Sequence, residues 1–354
     1  MSPAVALKLL GDQLVHSSTV AVSRRRLDSA HVRDRLRDEV VGVEQLFESQ
    51  GWIEDPYSFH RQPPVLRSSQ LRWQMSGGVD LEHMTFASGY EPRSIEPGRD
   101  RWLSYEANRT AHAWVLRHRR VRRPWLVCVN GFRTGLVSID LAAFRLQELH
   151  RQGLNIACYV LPLHGPRRVD RWSGDRFFRA GYINTIHGVT QAIWDLRRLL
   201  SWVRAQETDN VGVYGLSLGG YTVATLAAFD ADLACVIAGI PATDFLRIMK
   251  EHASDELAGY SRALGLGWSS VDRILRVVEP LYLQPKVPRN RRYIFGGLVD
   301  RIVDPTQVRD LWLHWDKPRI AWYQGSHFSF NSEPEVRALL KEALRDSGLA
   351  GAGI

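Results

Sequence analysis

The feature that most constrains this chain is a rhythm. From about residue 84, short and near-continuous apolar runs alternate with helical segments. The runs lie at 125–129, 155–161, 211–214, 233–240, 293–295 and 320–323, with plausible opening strands at 84–88 and 111–116. A strand wetted on one side alternates apolar and polar residues, whereas one covered by helices on both sides need not. Between the runs, Val189, Ala192, Ile193, Leu196, Leu200 and Val203 mark one face of a helix. Segments 218–229, 306–313 and 333–344 also read as helical. Strand and helix in turn predict an α/β fold with a doubly wound, mostly parallel sheet.

Two intervals break the rhythm. Residues 1–80 read as an N-terminal extension. In it an amphipathic helix over 30–47 places Val32, Leu36, Val40, Val43 and Phe47 three or four apart, and an irregular Pro-, Ser- and Arg-rich stretch follows over 55–72. Residues 81–354 are then expected to form one domain. Within it, 241–288 separates two strands by more than an ordinary crossover. Short helices are expected there at 245–252, 256–264 and 271–278, as a lid over the strand ends where ligands bind in open α/β sheets.

Composition narrows the class. A chain of 354 residues with 45% hydrophobic and 24% charged residues is globular, not disordered or fibrous. Cys128, Cys158 and Cys235 each sit in an apolar run, so they are expected as buried hydrophobes, and no spacing suggests zinc or another cofactor. The formal charge is +8, but only five of the 46 basic residues are Lys. So general an Arg bias devalues any one Arg cluster. The run 117–123 is expected as a solvated hairpin tip, lacking the interleaved aromatics or reading helix of a nucleic-acid site. No apolar stretch is long enough for a membrane span, and the N-terminal residues have the wrong polarity for a secretory signal, so a cytoplasmic location is expected.

The chemistry concentrates after the run at 211–214. Gly215-Leu216-Ser217-Leu218-Gly219-Gly220 leads straight into a helical segment. A serine on a tight strand-to-helix turn takes a strained backbone, and glycines at plus and minus two leave room for the neighbouring chain. The turn raises the hydroxyl above the sheet and frees the Leu218 N–H, at a helix N-terminus that favours developing negative charge. Such a serine needs a base and an acid, in the chain order Ser, acid, His. Asp300 lies in the loop past the strand at 293–295, and His327 just past the strand at 320–323. Two other aspartates compete for the acid. Asp304 precedes Pro305 and suits a helix N-cap, and Asp244 follows the run at 233–240 and suits a cap of the insertion helix.

On these residues the segment from about 110 to 346 resembles the α/β-hydrolase superfamily, and more loosely its branch containing abhydrolase-domain protein eighteen. The resemblance implies Ser217 as nucleophile, His327 as base and Asp300 as acid. In Asn130-Gly131-Phe132-Arg133 it makes the Phe132 N–H a second oxyanion donor beside Leu218. The departure at Asn130, where many members have His, is expected to matter little because the donor is a backbone group. The loop Pro162-Leu163-His164-Gly165-Pro166-Arg167 is similar to one in esterase-like members. His164, Arg167 and Arg133 are thereby candidates for contacting substrate, and the arginines for an anionic one.

The expected function is a serine hydrolase acting on a small-molecule carboxylic ester or thioester, with no cofactor and no nucleic-acid partner. An acyltransferase would use the same residues. A further alternative is a catalytically silent interaction protein on this fold, docking a partner or a second copy through its N-terminal helix. Oligomeric state is not readable from the sequence.

Overall fold

The computed structural model describes residues 30–206, 210–252 and 268–350. The helix expected at 256–264 and the N-terminal residues read for a signal lie outside them. The apolar runs form a nine-stranded sheet in the order β1-β2-β3-β5-β4-β6-β7-β8-β9. These are β1 (Gln70–Ser76), β2 (Val79–Ala87), β3 (Thr110–Leu116), β4 (Trp125–Val129), β5 (Asn155–Val160), β6 (Val211–Leu216), β7 (Cys235–Gly239), β8 (Arg292–Gly297) and β9 (Arg319–Tyr323). β4 to β9 are mutually parallel, and β1, β2 and β3 are antiparallel to their neighbours.

Every residue of β4, β5, β6, β7 and β8 is buried. Successive side chains enter different cores: Val127 and Val129 join one, Leu126 and Cys128 the other. Both faces are thus apolar, which explains the continuous runs. The helices that bear on the site are α1 (Ala30–Ser49), α2 (Val137–Ala143), α3 (Asp175–Arg179), α4 (Tyr182–Arg204), α5 (Leu218–Leu226), α6 (Phe245–His252), α7 (Trp268–Leu275), α8 (Pro305–His314) and α9 (Pro334–Asp346). α1, α4, α5 and α8 cover the first face, and α2 and α9 the second. No helix among the described residues is long and apolar enough to cross a membrane.

Three expectations need correction. The boundary at residue 80 falls inside the β1–β2 hairpin, so the sheet begins ten residues earlier, in a stretch read partly as irregular. β1 is an edge strand whose Trp73 and Met75 are exposed, so no buried apolar run announces it. Its turn, Gly77-Gly78, has positive φ at both residues, which suits a two-residue hairpin loop. Residues 30–69 are no separate unit either. Val40, Val43, Phe47, Trp52, Phe59 and Leu66 belong to the same core as the sheet. His60 Nε2–H donates to the Val277 carbonyl (2.8 Å), and Tyr57 OH to that of Gln284 (2.6 Å). Val32 and Leu36 lie outside the residues whose side chains are described. Finally, 117–123 is not a hairpin tip. β3 pairs with β5 and not with β4, and Arg117 and Arg119 both bind the buried Glu82.

In the insertion between β7 and β8, α6 lies where expected, and α7 starts three residues before the expected 271. α7 packs beside α1, and Arg273 pairs with Glu44 (3.5 Å) and Glu48 of that helix.

Candidate active site

β6 delivers the chain into the turn that carries Ser217. Its φ of 55° and ψ of −113° are values a non-glycine residue holds only when its surroundings impose them. Here they do: Ser217 N–H donates to the Gly239 carbonyl, and its own carbonyl accepts from Tyr221 N–H, both at 2.9 Å. The flanking glycines are a matter of space. A Cβ on Gly215 would collide with the Gly219 carbonyl, and one on Gly219 with that of Val129. α5 then begins at Leu218.

The loops after β8 and β9 bring Asp300 and His327 to this turn. His327 Nε2 lies 3.0 Å from Ser217 Oγ, and His327 Nδ1 lies 2.6 Å from Asp300 Oδ2. The other oxygen of Asp300 accepts from the N–H groups of Ile302 and Val303, both at 2.9 Å, which fixes the carboxylate's orientation. The Asp300 and His327 side chains are 2% and 5% exposed, so solvent competes little for these bonds. With Asp300 accepting from Nδ1–H, Nε2 is left to accept from the serine hydroxyl. The rival aspartates are occupied elsewhere. Asp304 caps α8, accepting from Thr306 N–H at 2.8 Å and Thr306 Oγ1–H at 2.5 Å. Asp244 accepts from Arg247 N–H at the start of α6 (2.7 Å) and pairs with the Arg247 guanidinium.

The loop after β4 lies against the serine turn: a Cβ on Gly131 would come 3.2 Å from the Leu216 carbonyl oxygen and 3.6 Å from Ser217 Cβ. Among the described residues no group accepts from the N–H of Phe132 or of Leu218, so both are available to a ligand. Asn130, set aside in the sequence because a backbone group would do the work, is fully buried and bonded at both ends of its carboxamide.

The other substrate candidates divide. Arg167 is fully buried and does not reach the site. Its guanidinium pairs with Asp195 (2.9 Å) and donates to Tyr159 OH and the carbonyls of Val160 and Asn108. His164 is also fully buried, with Nδ1–H donating to the Pro162 carbonyl at 2.8 Å and its ring edge-on to Phe132 and Phe177. Burial pushes its pKa down to about 4, so it is neutral packing beneath the loop and not a substrate contact. Arg133 keeps a partly exposed position, paired with Asp175 at 3.0 Å; Asp175 also accepts from Arg179. An aromatic row that no sequence motif announces starts at Phe132, on the loop that lies against the serine turn. It runs Phe132–Phe178–Phe245 with centroids 5.2 Å apart at each step, and Phe245 stacks on Tyr221 at 4.1 Å. These rings come from four separate segments, so no local motif joins them. No group of three His, Cys, Asp or Glu side chains among the described residues could hold a metal ion.

No family model matches the chain. Two proteins of Mycobacterium tuberculosis, Uncharacterized protein MT2702 (strain CDC 1551 / Oshkosh) and Uncharacterized protein Rv2627c (strain ATCC 25618 / H37Rv), are each 39% identical to it over 352 residues. The match covers 99% of this chain and 84% of each relative. Among solved structures, acetyl xylan esterase 1 from Thermoanaerobacterium sp. JW/SL YS485 matches with a TM-score of 0.57 at 14% identity, over 85% of this chain and 93% of that one. An acetyl xylan esterase from Paenibacillus sp. R4 gives 0.57 at 14% identity, over 93% and 98%. The acylaminoacyl peptidase of Pyrococcus horikoshii gives 0.52 at 16% identity, over 82% of this chain and 43% of the peptidase. At these identities the likeness speaks for the fold alone, a mostly parallel sheet covered by helices. The chain has the α/β-hydrolase fold and belongs to the family of the two mycobacterial proteins.

Proposed function

We propose that this protein is a serine hydrolase that cleaves a small-molecule carboxylic ester or thioester through an acyl-enzyme on Ser217. The reading rests on one observation, the hydrogen-bonded chain Ser217–His327–Asp300 at 3.0 and 2.6 Å. His327 Nε2 takes the hydroxyl proton as Ser217 Oγ attacks the acyl carbonyl, and Asp300 holds the ring and supports its positive charge. The oxyanion accepts hydrogen bonds from the N–H groups of Phe132 and Leu218, while the N-terminus of α5 favours its charge. His327 then protonates the leaving alcohol or thiol, and water activated by the same nitrogen releases the acid. The partly exposed rings of Phe132 and Phe178, backed by the buried Phe245, offer the acyl or leaving group an apolar wall. Ester hydrolysis also agrees with the names of the acetyl xylan esterases that share the fold.

The test is a panel of nitrophenyl esters of graded chain length, run on wild type and Ser217→Ala, with fluorophosphonate labelling of the folded protein. The substitution is expected to lower turnover by at least about 10⁴-fold and to abolish labelling. Turnover that survives Ser217→Ala unchanged would overturn the mechanism.

A further inference from the structure

The Gly131–Phe132 peptide is planar, so the Gly131 carbonyl and the Phe132 N–H point in opposite directions and turn as one body. The carbonyl end is held by three donors. Asn130 Nδ2 and Thr134 Oγ1 each reach the Gly131 oxygen at 2.8 Å, and Thr134 N–H reaches it at 3.4 Å. Asn130 is itself fixed, because its Oδ1 accepts from Leu161 N–H at 2.8 Å, just past β5. Its Nδ2 also lies 3.2 Å from Thr134 Oγ1, closing a ring of bonds inside the loop. Beyond that ring, Ser173 Oγ–H donates to the Thr134 carbonyl (2.5 Å), and Gly135 N–H donates to the buried Asp140 (3.1 Å).

The other end of this peptide, the Phe132 N–H, has no acceptor among the described residues, and Gly131 itself stands against the serine turn, which a Cβ on it would nearly touch. Packing alone could have set the loop against the turn. A carbonyl with three donors on it also loses its freedom to rotate.

We infer that Asn130 and Thr134 are positioning residues that clamp the Gly131 carbonyl and so aim the Phe132 N–H at the oxygen that gains charge when Ser217 attacks. The inference rests on the hydrolase reading and deepens it: the side chain at 130 contributes to catalysis although the donor is backbone. An oxyanion donor acts mainly in the transition state, so misaiming it lowers kcat and leaves KM alone.

Three variants test this. Asn130→Asp keeps the size and the acceptor for Leu161 N–H but turns an oxygen toward the Gly131 carbonyl. Thr134→Val keeps the shape and removes the hydroxyl, and Thr134→Ser restores it. On a nitrophenyl ester, Asn130→Asp is expected to lower kcat about ten- to a hundredfold at unchanged KM. Affinity for a boronic-acid mimic of the tetrahedral intermediate should fall by the same factor as kcat/KM. Thr134→Val should show the same pattern more weakly at a melting temperature close to wild type, with Thr134→Ser near wild type in both. Wild-type kcat and boronate affinity in both Asn130→Asp and Thr134→Val overturn the inference, as does a loss that merely follows melting temperature. Fluorophosphonate labelling of the wild type separates the two claims. No labelling of Ser217 removes the hydrolase reading and this inference with it, whereas normal labelling with unaffected variants removes this inference alone.

Discussion

Asp300, Asp244 and Asp304 differ in what their oxygens do. Asp300 spends one oxygen on two backbone N–H groups and the other on His327, whereas Asp304 spends its carboxylate on the start of α8. Asp300→Asn should therefore turn an amide toward the imidazole, favour the wrong tautomer and lower kcat by about 10⁴-fold. Asp304→Ala should leave kcat near wild type and cost about 1 kcal/mol of stability as a lost helix cap. Steady-state kinetics beside thermal melts decide it, and the reverse ranking would move the acid to Asp304. The sequence narrowed the acid to a few loop positions, because strand ends are visible in apolar runs. It could not choose by itself, since the choice depends on how Ile302 and Val303 turn their N–H groups. Arg167 marks the same limit. Its chain position beside the site was legible, but its direction is set by Asp195, 28 residues away, and by Tyr159 and Asn108.

At the level of elements, α6 is moored from beneath. Phe245 stacks on Tyr221, whose hydroxyl donates to the Val278 carbonyl at 2.9 Å. The next residue, Glu279, is buried, accepts from Phe245 N–H, and has one carboxyl oxygen without a partner. Burial, reinforced by Asp244 and Asp272, raises its pKa well above the ordinary 4.5. An acid whose folded pKa is raised binds more protons in the folded chain, so it withdraws stability as pH climbs above 4.5. Glu279→Gln should thus melt higher than wild type at pH 8, with a smaller gap at pH 5. A gap that narrows as pH rises would contradict this account of the mooring. The core strands were legible because burial on both faces writes a continuous apolar run. β1 was not, because an exposed edge leaves only the Gly77-Gly78 turn as a signal.

Over the whole molecule, buried titratable groups pull in opposite directions. Burial pushes His60 and His164 down to about 4, while it pushes Asp140 up to about 7. The histidines give stability that is full above their unfolded value of 6.5 and is lost as pH falls toward 4. Asp140 does the reverse, withdrawing stability as pH rises from 3.8 toward 7. The windows overlap, so wild type should show a flatter melting profile between pH 4 and 6.5 than either set alone would produce. His60→Gln is expected to lose less stability than wild type on acidification from pH 7 to pH 5, read from melts at fixed ionic strength. An equal loss in both would mean that His60 bears no part of the acid sensitivity, despite tying the N-terminal segment to the carbonyl after α7.

The three cysteines acquire a use from their placement. Cys128, Cys158 and Cys235 lie on β4, β5 and β7, none reaches solvent, and burial raises each thiol, that of Cys235 to about 12. In the native state they are chemically silent, and a thiol-reactive dye meets them only when the central strands part. The chain therefore carries its own clock for global opening, in which the rate of dye uptake counts excursions of the sheet without any label being introduced.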